Sequence, residues 1–318
     1  MSIASDLQSQ SPALLNSLLL VTFDGKDARD FLHRVLTQDV LHLGRRVATA
    51  AFCDPKGRML ALMRLWLSGE HAVKALLPVS GSEPILKRLR MFVLRDDVKI
   101  TVAPAESVLK VALLKEATAT LAAHELPVPA AGEVARSADG SVEVLAIEPA
   151  APAAQQIGGE RAIVIAEAAA AARLAGFWEP QSDAAFWASE ILAGVPAVFA
   201  ETSGLFVPQQ ANLDLVGGVH FNKGCYPGQE VISRMKHIGR PSRRAYLATS
   251  ATATPLPAPG TPVFAEGNEV GYVINAADLG ETRFVLASLL IAETARPLAL
   301  DKEGGDALTL ATLPYSIE

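Results

Sequence analysis

Apolar positions along this chain come in short runs whose period changes several times. Residues 13–23 form an apolar stretch that ends at Asp24-Gly25, a turn pair, and predict a strand. From Asp27 the period lengthens: Ala28, Phe31, Leu32 and Val35 fall on one helical face, with Asp27 placed to cap it. Two apolar runs, 47–53 and 58–67, flank Asp54-Pro55-Lys56-Gly57. Its proline and glycine occupy the positions a type I turn favours, so a hairpin is predicted. Residues 82–95 set Ile85, Leu86, Leu89, Phe92 and Val93 at helical spacing, and 98–102 read as a strand. Further strands are expected at 108–113, 142–147 and 162–165, then a Pro/Ala-rich connection at 148–154 and an alanine-rich helix at 166–174. A further helix is expected at 182–194, capped by Ser182 or Asp183 and stopped at Gly194. Beyond residue 240, runs at 245–249, 262–264, 270–274, 284–290 and 308–313 are separated by turn residues, as in a small antiparallel barrel. Strand, helix and strand in alternation, followed by an all-strand tail, give an α+β class.

Composition narrows the functions open to this fold. The 318 residues suffice for two or three domains, and the net charge of −6 argues against a protein whose main task is gripping phosphates. Direct tRNA binding is therefore not expected. Local basic faces remain: Lys87, Arg88 and Arg90 on the helix at 82–95, and Arg240, Arg243 and Arg244 with Lys236 and His237. The first reads as a solvated amphipathic face. The second could receive a polyglutamyl tail, a phosphate or an acidic partner protein. The 2 cysteines, Cys53 and Cys225, cannot build a disulfide framework and fit a reducing compartment. Residues 1–12 are polar without a charged lead into a hydrophobic stretch, and no run approaches ~18 apolar residues. A cytoplasmic monomer without membrane contact is the expectation.

Chemistry concentrates between Asn222 and Gly239. Pro227 is expected to open a helix that Gly239 stops. Cys225 would then lie just before a helix N-terminus, where unpaired N–H groups favour an anion, and Lys223 adds a nearby positive charge. Both effects favour thiolate over thiol. The competing reading makes Cys225 a small buried apolar residue, as free cysteines usually are. His220 reads as a strand-end histidine, and a metal site built from Cys53, Cys225 and His220 has no metal-ligand spacing to support it.

The run Lys223-Gly224-Cys225-Tyr226-Pro227-Gly228-Gln229-Glu230, followed by Val231-Ile232-Ser233-Arg234, resembles the signature of the YgfZ family. That family comprises folate-binding proteins related to the aminomethyltransferase, or T-protein, of the glycine cleavage system. The variant Ser233-Arg234-Met235-Lys236-His237 is similar to the branch containing the mitochondrial iron–sulfur assembly factor. Gly25-Lys26-Asp27-Ala28 with Phe31-Leu32 and Leu36-Thr37-Gln38-Asp39-Val40, the run from Phe52 to Arg58 and the run from Phe206 to Phe221 are also similar to family segments.

The resemblance implies an aminomethyltransferase-like three-domain ring: two interleaved α/β domains over 12–240 and a C-terminal antiparallel β-barrel over 241–318. It implies tetrahydrofolate at a central opening close to the Cys225 loop, with an aromatic, Phe186 or Trp187, along the folate. It also implies support for the assembly or repair of iron–sulfur clusters, the partners being iron–sulfur enzymes, tRNA-modifying ones included, or assembly proteins. Cys225 would be the working thiol, in surroundings shaped by Lys223, Gly224, Tyr226, Gly228, Gln229, Glu230 and Arg234. Two departures matter. Leu192 stands ahead of Ala193-Gly194 where aminomethyltransferases carry a pterin-contacting glutamate, leaving Glu190 as the substitute at hand. Leu77-Pro78-Val79-Ser80 lacks the catalytic aspartate. Both lean away from an enzyme. The alternative is a tetrahydrofolate-dependent C1 transferase or demethylase.

Overall fold

A computed structural model describes residues 12–114, 116–147, 160–175, 182–251, 254–303 and 306–317, so the connection expected at 148–154 lies outside the described residues. The apolar stretch at 13–23 is two strands in two sheets. β1 (Ala13–Leu14) pairs with β7 (Val108–Leu113), whereas β2 (Leu18–Asp24) pairs with β5 (Ala72–Pro78) and β6 (Lys99–Val102). A turn closed by the Leu18 N–H donating to the Leu15 carbonyl at 3.3 Å lets the chain change sheets. Hydrophobic pattern alone cannot detect such a switch, because both halves are equally apolar.

The first sheet is five-stranded and antiparallel, in the order β3 (Ala48–Cys53), β4 (Met59–Leu67), β5, β2, β6. Helices α1 (Ala28–Val35) and α2 (Ser82–Phe92) cover one face of it, burying Phe31, Leu32, Ile85 and Leu89 against Phe23, Phe52 and Met63. The second sheet is also five-stranded, ordered β1, β7, β10 (Arg161–Glu167), β9 (Val142–Ile147) and β8 (Val134–Arg136). Helices α3 (Ala117–Ala123) and α4 (Ala168–Ala175) pack on it through Leu121 and Leu174. The alanine-rich helix begins at Ala168 because β10 stays paired with β7 through Glu167. One strand of the second sheet thus precedes the whole first sheet in sequence, which is the interleaving expected.

Helix α5 (Ala184–Leu192) packs on the C-terminal barrel, and its Phe186 and Ile191 join the core shared by the two sheets. After α6 (Gln229–His237) the chain enters that closed antiparallel barrel, ordered β11 (Arg243–Ala251), β14 (Thr282–Leu290), β13 (Asn268–Leu279), β12 (Pro262–Ala265), β15 (Leu298–Ala299) and β16 (Ala307–Ala311). Five of these six strands fall on runs legible in the sequence; β15, only two residues long, does not. Among the described residues no helix is long and apolar enough to cross a membrane.

Candidate functional site: a central cavity and an exposed cysteine loop

The loop carrying Cys225 is seated on the β3–β4 hairpin. The hairpin turn is closed by the Gly57 N–H donating to the Asp54 carbonyl at 2.9 Å, and Asp54 Oδ1 accepts from the backbone N–H of Lys56 and Arg58. Gly228, with φ of 81°, lies directly over this turn: a Cβ there would sit 2.5 Å from Gly57 Cα and 2.6 Å from the Asp54 carbonyl oxygen. Two glycines facing each other let two turns touch backbone to backbone.

The same conformation moves the helix start. Tyr226-Pro227-Gly228-Gln229 forms a turn closed by the Gln229 N–H donating to the Tyr226 carbonyl at 3.2 Å, so α6 begins at Gln229 and not at Pro227. Proline second and left-handed glycine third are type II turn chemistry, which competes with a helix start at the proline. At the other end Ile238 and Gly239 donate to the Arg234 carbonyl, and Gly239 has no left-handed φ.

Cys225 is exposed, unlike Cys53, which is buried at the end of β3 with its thiol held far above the usual range by burial and by Asp54. Lys223 points away from open solvent. Its ammonium donates to the carbonyls of His33 and Leu36, capping α1, and lies 4.9 Å from the Tyr226 ring centroid. Burial lowers its pKa to about 8. Gly224 passes beside His33, whose Nε2 would be 3.5 Å from a Cβ at that glycine. The His33 imidazole, 3.2 Å from Asp39 through Nδ1, is held below its ordinary value by burial and by the Lys223 charge. Tyr226 is buried and its hydroxyl has no partner; burial and Cys53 raise its pKa. Gln229 reaches the Lys223 carbonyl at 3.4 Å, while Glu230 and Arg234 stand exposed on α6.

Where the two sheets, the 213–220 segment and the C-terminal tail meet, a cavity of about 600 Å³ opens, its polar lining made of Gln38, Arg46, Thr49, Arg64, His220 and Tyr315. Among the described residues no carboxylate lines it; its cations are Arg46 and Arg64, the latter paired with Glu190. Cys225 is outside this lining; the motif's lead-in reaches the cavity through Val219 and His220. Thr49, Arg64 and Val195 also line a narrow neck of about 40 Å³ walled by Leu62, Met63, Phe186 and Trp187. That space holds about one water and not a bicyclic ring.

Glu190 sits in this neck. It accepts from Arg64 Nη2 at 2.7 Å and from Arg161 Nη1 at 2.8 Å, and Ser189 accepts from the same Arg161 nitrogen at 3.0 Å. Burial alone would raise the carboxyl, but the two guanidinium groups hold it below the usual carboxylate range. One charge therefore ties α5 to both sheets. Trp187 donates Nε1–H to Ser17 Oγ at 3.0 Å and packs edge-on against Phe186 and Phe199.

Comparison with known proteins places this arrangement. No family model matches the chain. The tRNA-modifying protein YgfZ of Escherichia coli O157:H7 is 31% identical over 318 residues, spanning 96% of this chain and 93% of that protein. The chain belongs to the YgfZ family. The tRNA-modifying protein YgfZ of Cronobacter sakazakii is 29% identical over 322 residues, spanning 96% of this chain and 92% of that one. The crystal structure of glycine cleavage system aminomethyltransferase T from Bartonella henselae superposes with a TM-score of 0.76 at 16% identity, covering 98% of this chain and 88% of that chain. The fold is thus the aminomethyltransferase-like α+β ring.

In this YgfZ-family member the residues singled out from sequence fall into two groups. Phe186, Trp187 and Glu190 meet at the neck; Lys223 to Arg234 form the loop and helix beside the hairpin. Sequence reasoning missed Arg64, Arg161, Arg46 and His33. Arg64 left a signal, as the one charge in the nine-residue strand Met59–Leu67. The others gained significance only through contacts distant in sequence.

Proposed function

We propose that this protein binds tetrahydrofolate in the central cavity and, through the exposed Cys225 loop, supports assembly or repair of iron–sulfur clusters in client enzymes of the cytoplasm, tRNA-modifying enzymes among them. The observation that carries the reading is the cavity itself. Its volume of about 600 Å³ lies within the range of small-molecule sites, and its lining offers Arg46 to an anionic ligand, with Arg64 held beside it by Glu190. His220 Nδ1 is buried there without a partner. A flat polar ring with a carboxylate tail suits that donor set, with apolar Val47, Ile147 and Val219 against its faces. Tetrahydrofolate would supply a one-carbon carrier; the chain's own residues bind and orient it.

Family membership supports the client class, since the relatives are named tRNA-modifying proteins. The exposed Cys225 sulfur suits iron and sulfur as a soft ligand. Among the described residues no group of three or more His, Cys, Asp or Glu side chains converges, so a cluster passing this site takes its other ligands from the partner. A C1 transferase would want a carboxylate free to handle protons. Among the described residues the neck offers Glu190 alone, already engaged by two arginines.

Depletion of the protein, with iron–sulfur enzymes and glycine cleavage assayed side by side, tests this reading. Loss of the former with the latter intact is expected, as is rescue by the wild type and not by Cys225→Ala. Full rescue by Cys225→Ala, or turnover of an aminomethyl donor by the purified protein, would overturn it. Folate titration by calorimetry tests the cavity, and no binding at millimolar folate would remove it.

A further inference from the structure

A second hollow, of about 940 Å³, lies where α6, the start of β11 and the C-terminal segment meet, lined by Gln209, Met235, Lys236, Arg240, Arg244 and Tyr246 among others. The five-cation cluster visible in the sequence is divided here. Arg244 is buried and holds Asp214 at 2.7 and 3.2 Å, and Arg243 lies over the Tyr272 ring. Lys236 and Arg240 remain exposed, and among the described residues neither has a carboxylate partner. Two buried side chains of the lining keep an unpaired atom, Gln209 Oε1 as acceptor and Arg244 Nε as donor. Each orphan of this kind is costly unless a ligand or solvent meets it. Met235, Ile291 and Ile317 add apolar wall.

The hollow also adjoins the central cavity. Leu215 lines both, and Tyr315 of one is followed in the chain by Ser316 and Ile317 of the other. The two spaces are therefore neighbours along Leu215 and the 315–317 segment.

We propose that this hollow receives the oligo-γ-glutamate tail of a polyglutamylated tetrahydrofolate whose ring occupies the central cavity. The inference rests on the folate reading above. Such a tail repeats a carboxylate, an amide and two methylenes. Its carboxylates meet Lys236 and Arg240, an amide N–H meets Gln209 Oε1, an amide oxygen meets Arg244 Nε, and the methylenes lie on the apolar wall. A nucleic-acid phosphate run would want a broad cationic face, and this hollow has two cations without a carboxylate partner among the described residues, Lys236, which lies 5.5 Å from the Phe221 ring centroid, and Arg240, in a chain of net charge −6.

The test is titration of the full chain, at low and high salt, with the mono- and pentaglutamate forms of 5-formyltetrahydrofolate, using wild type and Lys236→Glu/Arg240→Glu. The pentaglutamate is expected to bind wild type about tenfold more tightly, an advantage that shrinks with salt and disappears in the double variant. Monoglutamate affinity is expected to be the same in both proteins. Equal affinity for the two forms in wild type, or an advantage that survives charge reversal, would overturn the tail site while leaving the folate reading standing. Absence of binding by either form removes both. Competition of tRNA with the pentaglutamate, lost in the double variant, would assign the hollow to nucleic acid and overturn the proposal.

Discussion

Replacing Gly228 by alanine tests the backbone contact that seats the Cys225 loop on its hairpin. Two costs arise. The residue has φ of 81°, a conformation that costs an L side chain about 1–2 kcal/mol. The new Cβ would also lie 2.5 Å from Gly57 Cα and 2.6 Å from the Asp54 carbonyl oxygen, so backbone must move on one side or the other. Overpacking of this kind costs a further ~1–3 kcal/mol. Gly140→Ala isolates the first cost, because that glycine has φ of 73° with nothing within 4 Å of a Cβ. Losses of about 2–5 kcal/mol for Gly228→Ala and about 1–2 kcal/mol for Gly140→Ala are therefore expected. Local opening can be read from alkylation of Cys53, which is 2% exposed and adjoins the hairpin turn. Under native conditions Gly228→Ala should raise its rate at least tenfold, since 1.4 kcal/mol is a factor of ten. Gly140→Ala should leave it unchanged. Equal effects of the two substitutions on Cys53 would refute the claim that the Gly57–Gly228 contact holds the loop.

Other outcomes follow from the same geometry. In the folded wild type, iodoacetamide should label Cys225 within minutes and Cys53 far more slowly; matched rates would contradict the burial difference. Glu190→Gln should cost about 3–5 kcal/mol at neutral pH, because Arg64 and Arg161 lose a buried partner; an unchanged urea midpoint would refute this. Folding holds the Glu190 and Glu143 carboxyls below their ordinary value, so their stabilisation is complete above the unfolded glutamate pKa of ~4.3 and is lost as pH falls through the lower folded values. The thermal midpoint should therefore drop below about pH 4, less steeply in Glu190→Gln. Lys223 should titrate at about 8 by NMR of its methylated amine, and a value near the unperturbed ~10.4 would show that the ammonium does not lie against α1.

The sequence alone settled the elements whose signal is local. Helix α1, the β3–β4 hairpin, helix α2 and five of the six barrel strands follow from hydrophobic period and turn residues, because period and turn chemistry act over a few neighbours. The motif from Lys223 to Arg234 was legible for the same reason, its residue types being contiguous. Tertiary structure decided everything that depends on distant partners. Residues 13–23 are divided between two sheets, a choice invisible in a uniformly apolar run. Lys223 turned out to cap α1, a helix some 190 residues away in sequence. The union of Arg64, Arg161 and Glu190 draws one residue from each sheet and one from α5. A buried charge is stable only where its counter-charges converge, and no local pattern encodes where a chain returns.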